Sequence, residues 1–520
     1  MKARRDLENH RLLGQLDAAP LGVPENAFKD FIDDEDTDAA KLCLRQYGIA
    51  NNYSFLLTEL SKPLADRNAS ISLPLPPAWR KHYRLQGLNV SRSSVLRFYV
   101  SLIDNYLRGI SLAGRLLKDN PEDFAPSNLN GQFDGFFHFN LAHFGSYLED
   151  SRRRDFHYWY QNYYKEEERF AFVVEMLGAS YRDQKKPRFM GGASLFSRIS
   201  SDGDKKLFRR KVVRMAVKAA IGGLLGAWWL PAMFTEAVKL EYFKLLPKGS
   251  RARRYVFNAG SCLMRPLWSY HAETSGSEVV CVFYSANFVT FTPAKDIPAA
   301  RTAGLAAMVW PKIIVTDDES KAALVSYGLP EQKISVSQTF IDFSDSAAPL
   351  PQLRGKSLLV FDVPPYRTYF KASRGFHNAY YTYPQWYKFI EDIISVARKH
   401  NWTVVLKSKR LSHKFHEKAF DDAMALMGDR SGIRVLDAGM SPSRVISCVD
   451  AVIAMPFTSP AVAGKIMNKP TLFYDPGGQL DHCESLAHDL PMEHTKEGLD
   501  AWLSKVDCSG TSVQICREIK

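Results

Sequence analysis

The hydrophobic pattern of the chain changes near its middle. In roughly the first 200 residues, apolar side chains recur at three- and four-residue spacing, as in 94–117 and in the aromatic-rich stretch 156–177. This spacing is typical of amphipathic helices whose apolar face packs on a neighbour. It predicts a largely helical N-terminal region over residues 1–204. Because aromatic side chains are usually buried, we interpret the stripe in 156–177 as packing, with a ligand surface as the alternative.

From about residue 252, short runs of β-branched and aromatic residues alternate with helical segments. A linker with two prolines, residues 344–356, divides these runs into two sets. The predicted strands are 254–260, 278–287, 312–318 and 333–339, followed by 357–363, 402–408, 432–437, 450–456 and 470–476. Continuous apolar strands that alternate with amphipathic helices indicate parallel βαβ units. The pattern therefore predicts an α/β fold with two Rossmann-like domains, residues 241–350 and 351–520.

A basic and then apolar segment, residues 205–240, lies between these halves. Residues 205–218 carry seven Lys or Arg, and the sixteen residues of 219–234 carry no charge. Crossing a bilayer takes about 20 apolar residues, so this run is short. We predict that the segment touches an anionic membrane surface without spanning it, and a buried helix or a single span are the alternatives. The predicted membrane-contact residues are Arg209, Arg210, Lys211, Arg214, Trp228 and Trp229.

Composition narrows the class of protein. A hydrophobic fraction of 46% with 24% charged residues is typical of a folded globular chain. The net charge of +12 suits a polyanionic partner, and its clustering beside an apolar, Trp-containing run favours a membrane surface over nucleic acid. The seven widely spaced cysteines include no C-x-x-C, and the first residues contain no apolar signal region. These features predict a cytoplasmic protein, peripheral on the inner membrane.

One predicted helix start is suited to binding an anion. The strand at 450–456 is followed by Thr458 and Ser459, and Pro460 then occupies the favoured first position of a helix. A helix N-terminus after a strand presents N–H groups and a partial positive charge, which suits a phosphate. Ordinary helix capping is the alternative interpretation.

Further residues of the second domain are predicted to join this donor site, because the carboxyl ends of parallel strands meet at one edge of the sheet. Positive side chains end the strand at 402–408 or occupy the long loop after the strand at 357–363. The predicted donor-binding residues besides Thr458 and Ser459 are Lys407, Lys409, Arg410, Arg367 and Asp475. The chain has no G-x-x-x-x-G-K-[ST] motif and no G-x-G-x-x-G after this strand, which disfavours ATPase and NAD-type functions.

Three residues of the first domain are candidate acid–base groups. His271 and Glu273 lie between its first two predicted strands, and Asp317 closes its third. A carboxylate or imidazole within hydrogen-bond reach of an acceptor hydroxyl would serve as the base. For Asp317, capping of the following helix is the alternative role.

The segment DAVIAMPFTSPAVAGKIMNKPTLFYDPGG resembles the signature of bacterial surface-polysaccharide biosynthesis proteins with a PFTS motif, here Pro456, Phe457, Thr458 and Ser459. The resemblance extends over about residues 240–490. It implies a glycosyltransferase with a GT-B arrangement that acts in O-antigen, capsule or related glycan assembly. The cap is more distantly similar to that of CMP-Kdo and sialic acid transferases and CDP-glycerol polymerases. That similarity implies donor-phosphate binding by Thr458 and Ser459.

Together these expectations describe a metal-independent glycosyltransferase. It would need no cofactor beyond its nucleotide-sugar co-substrate, and the acceptor would be a surface glycan or lipid-linked glycan. A CDP-polyol-type phosphotransferase and a non-catalytic scaffold of the polysaccharide assembly machinery are the alternatives.

Overall fold

The structure is a computed structural model of the chain. The parts it describes are residues 21–49, 70–117, 133–137, 156–165, 171–175, 181–182, 189–192, 199, 201–258, 264–283, 305, 308–337, 350, 352–353, 355–365, 380–408, 416–428, 432–456, 458–480 and 487–508.

Sixteen strands occur in these parts of the chain. They are β1 (Ser70–Ile71), β2 (Asn89–Val90), β3 (Phe133–Phe137), β4 (Ala171–Glu175), β5 (Tyr181–Arg182), β6 (Phe189–Gly192), β7 (Arg254–Asn258), β8 (Glu278–Val282), β9 (Lys312–Val315), β10 (Ile334–Val336), β11 (Ser357–Asp362), β12 (Thr403–Ser408), β13 (Ile433–Val435), β14 (Ala451–Ala454), β15 (Thr471–Tyr474) and β16 (Met492–Glu493).

The α-helices of the same parts pack mainly around two sheets. They are α1 (37–49), α2 (Pro77–Leu85), α3 (Arg92–Leu117), α4 (Phe156–Tyr164), α5 (Asp202–Leu224), α6 (Trp229–Lys244), α7 (Leu267–Thr274), α8 (Asp318–Ser326), α9 (Tyr383–Lys399), α10 (Lys418–Gly428), α11 (Pro442–Ser447), α12 (Ser459–Ile466) and α13 (Lys496–Cys508).

The first large sheet has eight strands in the order β10-β9-β8-β7-β3-β4-β6-β5. All neighbours pair in parallel except β5, which is antiparallel to β6. In chain order, the sheet begins in the middle with β3, adds β4, β5 and β6 on one side, and then places β7 on the other side of β3. This reversal of strand order is the topological switch of a Rossmann-like sheet. The predicted strands at 254–260, 278–287, 312–318 and 333–339 are confirmed as β7 to β10.

The prediction of a helical region over residues 1–204 is wrong for its second part. Strands β3 to β6 come from residues 133–192 and complete the sheet whose other half begins at Arg254. The first Rossmann-like domain therefore begins by Phe133, and 205–240 is a crossover within it. The strands were missed because FDGFF and AFVVE are short, and aromatic residues beside them produce a helix-like spacing.

The second large sheet has six strands, all parallel, in the order β13-β12-β11-β14-β15-β16. Counted in chain order this is 3-2-1-4-5-6, the order of a Rossmann-type sheet. All five strands predicted for this half are confirmed. The two tandem sheets agree with the GT-B-like pair of Rossmann-like domains expected from the sequence.

A buried charged network closes the amino-terminal edge of the first sheet. Asp134 on β3 is fully buried and accepts hydrogen bonds from Tyr160 at 2.8 Å, from Arg253 at 2.9 Å and from Arg254 at 3.0 Å. Arg254 also donates to Glu278, at the start of β8. The Tyr160 ring of α4 packs against Phe136 of β3, so the aromatic stripe of this helix is packing, as predicted.

Helices α5 and α6 correct the predicted membrane segment. The uncharged run 219–234 is divided by a turn at Gly226, so its first part ends α5 and its second part begins α6. The α6 part is buried, and Trp228 just before it packs edge-to-face against Phe98 at 5.5 Å between ring centroids. Trp229 donates its indole N–H to the Ala27 carbonyl at 2.8 Å. Both tryptophans therefore anchor the fold, and their predicted membrane contact is wrong.

The four basic residues of that prediction have different surroundings. Lys211 donates to the buried Glu241 at 2.5 Å, so its role is structural. Arg209 and Arg210 are exposed, and Arg214 is 63% exposed with Asp30 at 3.8 Å. None of the helices in the described stretches is long and apolar enough to cross a membrane.

We predict that Asp134→Ala lowers the free energy of unfolding by about 3–5 kcal/mol, because it removes a buried carboxylate on which two arginines and a tyrosine converge. Urea denaturation measures the change. The matched control is Asp104→Ala, which removes an exposed pair with Arg108 at 2.8 Å and should cost at most about 1 kcal/mol. Equal losses in the two variants would contradict the proposed importance of the Asp134 network.

Candidate functional site

The switch point of the second sheet lies between β11 and β14. These strands are neighbours although β12 and β13 separate them in the chain, so their carboxyl ends open onto a crevice. Beyond the last paired residues, the Met455 N–H donates to the Phe361 carbonyl at 3.0 Å and extends the ladder to the crevice. Ligands of open α/β sheets bind at this type of position.

The PFTS motif follows β14 directly and therefore lies at this switch point. Thr458 is the N-cap residue of α12, Ser459 is its first residue, and Pro460 is the next. The Thr458 hydroxyl donates to the Met455 carbonyl at 3.0 Å instead of accepting from a helix N–H. The first turn of α12 therefore has no side-chain cap. Because Pro460 lacks an N–H and the Ala461 N–H donates to the Thr458 carbonyl at 3.0 Å, the helix offers an anion mainly the positive end of its dipole. Phe457 lies outside the described residues.

Two tyrosines before α9 hold the loops around the crevice, and sequence reasoning missed both. The Tyr381 hydroxyl donates to the Pro456 carbonyl at 2.9 Å, which fixes the PFTS loop from the opposite side. The Tyr380 hydroxyl donates to Asp475 at 2.9 Å, and burial followed by the Asp475 charge raises the pKa of Tyr380. The only sequence signal was the aromatic content of the long loop after β11.

Asp475 has a structural role in place of the predicted donor contact. It is fully buried, and Oδ1 accepts from Tyr380 and from Gln385 at 3.1 Å. Oδ2 accepts from the Leu480 N–H at 3.0 Å and lies 3.3 Å from His494 Nδ1. Because both oxygens are engaged inside the protein, Asp475 shapes the loop after β15 and is not placed to bind a donor.

A buried polar group at the end of β11 forms the floor of the crevice. Asp362 is fully buried, and its Oδ2 accepts from the Trp386 indole at 2.7 Å and from the Ser408 hydroxyl at 3.3 Å. These contacts join the ends of β11 and β12 to α9. Asp362 could have been found from the VFDVPP stretch, where it interrupts an apolar strand at its carboxyl end.

Lys407 is brought to the same edge, as predicted, but it is buried. Its ammonium donates to the Ala438 carbonyl at 3.1 Å and lies 5.9 Å from the centre of the Phe361 ring. It supplies positive charge beneath the crevice, and direct contact with a ligand would require it to leave Ala438. Three predicted donor-binding residues, Lys409, Arg410 and Arg367, lie outside the described part of the chain.

His271 and Glu273 lie at the opposite edge of the first sheet from the one expected for chemistry. They are on α7, which runs back from the carboxyl end of β7 toward the edge where the strands begin. Just after this helix, the Ser277 hydroxyl donates at 2.7 Å to the carbonyl of Ala252, two residues before β7. The sequence placed both residues between two strands, but it could not show at which edge of the sheet they would lie.

Both side chains have packing partners at that edge. Arg265 donates to Glu273 at 2.5 Å. The His271 ring lies 6.2 Å from the Phe243 ring, and burial, together with the nearby Lys244, lowers the pKa of His271. The predicted acid–base roles of Glu273 and His271 are therefore corrected to structural roles.

Asp317 does lie at the carboxyl edge of the first sheet, where it caps α8. Its Oδ1 accepts from the Ser320 N–H at 3.0 Å, and its Oδ2 lies 2.6 Å from Nδ1 of His488 in the second domain. Burial by itself would raise the pKa of Asp317, but His488 and the Ser320 N–H lower it below the ordinary value. A carboxyl group with a low pKa and two engaged oxygens is a weak base, so Asp317 links the domains instead.

The solved structures that resemble this chain are distant from it in sequence. No curated protein matches its sequence. Among solved structures, it is similar to the UDP-GlcNAc 2-epimerase from Methanocaldococcus jannaschii, with 7% identity and a TM-score of 0.35 over 72% of this chain and 91% of that chain. A protein from Listeria monocytogenes named as a UDP-N-acetylglucosamine 2-epimerase gives 12% identity and a TM-score of 0.36 over 72% of this chain and 88% of that chain.

The apo form of a lipopolysaccharide outer core galactosyltransferase gives 10% identity and a TM-score of 0.32 over 72% of this chain and 90% of that chain. No residue role is transferred from structures as distant as these three. The profile of the family described as polysaccharide biosynthesis PFTS motif protein matches residues 215–503, more than half of the chain. The chain therefore belongs to the polysaccharide biosynthesis PFTS motif family.

Proposed function

We propose that this protein is a glycosyltransferase that moves a sugar from a nucleotide-activated donor to a surface glycan or lipid-linked glycan. The observation that carries the proposal is the position of the PFTS motif, at the start of α12 and at the switch point of the second sheet. Membership of a polysaccharide biosynthesis family supports a role in glycan assembly.

The donor diphosphate would lie against the first turn of α12. Backbone N–H groups at a helix N-terminus, with the helix dipole behind them, favour an anion. The positive end of this dipole would also stabilise the negative charge that develops on the leaving phosphate as the bond between the sugar's anomeric carbon and the phosphate oxygen breaks. Lys407 would add positive charge from below, and the Ser459 hydroxyl, at the first helical position, would lie beside the phosphate.

The acceptor would be held by the first domain, whose carboxyl edge contacts the second domain through Asp317 and His488. Lys465 of α12 adds a second link, because its ammonium lies 3.2 Å from Glu319 on α8. These contacts join the first turn of α8 to the PFTS helix, so a donor bound at that helix would lie on a domain that is tied to the acceptor domain.

We expect one of CMP, CDP, UDP, GDP and dTDP to raise the melting temperature of the purified protein. A ligand at a hundredfold excess over its Kd stabilises the native state by about 2.7 kcal/mol, which is a shift of several degrees. Ser459→Asp should abolish the shift because it places a carboxylate where the phosphate would lie. It should leave the unliganded protein folded, since an acidic residue is favourable in the first turn of a helix.

The matched control for that variant is Ser201→Ala, which removes the capping hydroxyl from the start of α5 in the first domain. It should lower the melting temperature slightly through the loss of a cap, while keeping the nucleotide shift. A nucleotide shift that survives in Ser459→Asp would contradict the donor site. The nucleotide that binds also separates a CDP-dependent phosphotransferase from a transferase of another donor class.

We also predict that Tyr381→Phe weakens nucleotide binding by up to roughly tenfold, because the PFTS loop loses the hydrogen bond to the Pro456 carbonyl. Isothermal titration of the nucleotide identified by thermal shift measures the change. Tyr387→Phe on the exposed side of α9 is the control and should bind as the unmodified protein does. If both variants bind equally well, Tyr381 does not position the site.

A further inference from the structure

Helix α3 exposes an apolar stripe on the side away from the core. Its buried face packs on α6, through residues such as Phe98 and Asn105. A second row of large apolar side chains follows another face at three- and four-residue spacing and is 42–67% exposed. This row consists of Leu96, Val100, Ile103, Leu107 and Ile110. Single exposed apolar residues are ordinary, but a continuous row along a helix indicates an interaction surface.

Helix α5 has a similar exposed face that changes character along its length. Its first half carries the exposed Arg209 and Arg210. Its second half carries large apolar side chains, which reach 89% exposure at Leu224 and 82% at Leu225, where the helix turns toward α6. The row between them is Val213, Val217 and Ile221, all more than half exposed.

The two exposed faces belong to one outer layer of the molecule. Both α3 and α5 pack on α6, and α6 in turn packs on α7 of the first domain. The Tyr106 hydroxyl of α3 donates to the Ala216 carbonyl of α5 at 3.3 Å, so the helices are direct neighbours. The apolar end of α5 lies beside the start of α3, because Trp228 in the turn after α5 packs edge-to-face against Phe98. We call this combined surface the α3–α5 face.

The charge of these two helices is strongly positive. Together they carry eleven Lys or Arg and three Asp, an excess of eight in a chain whose net charge is +12. Arg108 is 72% and Arg214 63% exposed, so much of this charge borders the apolar rows. Exposed leucines and isoleucines flanked by basic side chains are the composition of helices that lie in a membrane interface.

We infer that the α3–α5 face docks on the surface of an anionic phospholipid bilayer, with Leu224 and Leu225 inserted among the headgroups. A second copy of this chain is a poorer occupant, because a symmetric dimer through this face would oppose two surfaces of the same positive sign. An anionic bilayer complements both the charge and the apolar rows. This inference does not depend on the proposed transfer reaction, since lipid binding can be measured without substrates.

The test is flotation of the full chain with vesicles of phosphatidylcholine alone and with equimolar phosphatidylcholine and phosphatidylglycerol. We expect binding to the anionic vesicles that weakens as salt is raised, because exposed charges are screened. The double variant Leu224→Ser with Leu225→Ser should bind at least roughly tenfold more weakly, and so should Arg209→Gln with Arg210→Gln. The matched control is Leu426→Ser, at a 66% exposed leucine on α10 of the second domain, which should bind normally.

Thermal melting of each variant checks that the fold is retained, and the exposure of all five positions makes retention the expected result. Failure of the unmodified chain to float with anionic vesicles would overturn the inference, as would equal binding by both double variants and the control. A lipid-independent dimer in sedimentation that the Leu224 and Leu225 variant dissociates would also overturn it, because the face would then be a protein interface.

Discussion

The candidate site depends on the pairing of β11 with β14. This pairing is between strands that are not consecutive in the chain, and it reverses the direction in which the sheet grows. The reversal forces the loops after the two strands apart and leaves a crevice between them. The PFTS motif occupies one wall of that crevice because it follows β14, and Asp362 lies at its floor because it ends β11. An anion-binding helix start elsewhere on the sheet would have no such crevice beside it.

Around this crevice, buried polar groups form hydrogen bonds within the protein that fix the backbone, so these groups are not available to a ligand. Asp475 and Asp362 both accept several hydrogen bonds within the protein, and Tyr380 and Tyr381 connect α9 to the loops after β14 and β15. A buried hydrogen-bond network of this kind fixes loop positions in a low-dielectric interior. The proposed donor would then meet mainly the start of α12, where the positive end of the helix dipole favours a diphosphate.

The sequence was most informative where local pattern and tertiary structure agree. Every strand predicted after residue 252 is present, since buried parallel strands are continuous apolar runs between helices. The PFTS helix start was predictable because capping and proline preferences act within a few residues. The positions of His271, Glu273 and Asp475 were not predictable, because the edge on which a helix ends and the partners of a buried carboxylate depend on distant parts of the chain. For the same reason, β3 was hidden among aromatic residues, because its sheet neighbour β7 comes more than a hundred residues later in the chain.

The uncharged run 219–234 shows why hydrophobicity alone could not decide between burial and membrane contact. The turn at Gly226 divides it, so that one half packs beneath α3 and α5 while the other remains exposed beside basic residues. The tryptophans, which the sequence favoured as interface residues, are on the buried side because they fill the space between α3, α6 and the N-terminal segment. Leu224 and Leu225, which precede the tryptophans, have no such neighbouring space and are 89% and 82% exposed. The exposed apolar surface therefore lies on two adjacent helices that carry an excess of eight positive charges. An anionic bilayer matches this surface in both charge and polarity.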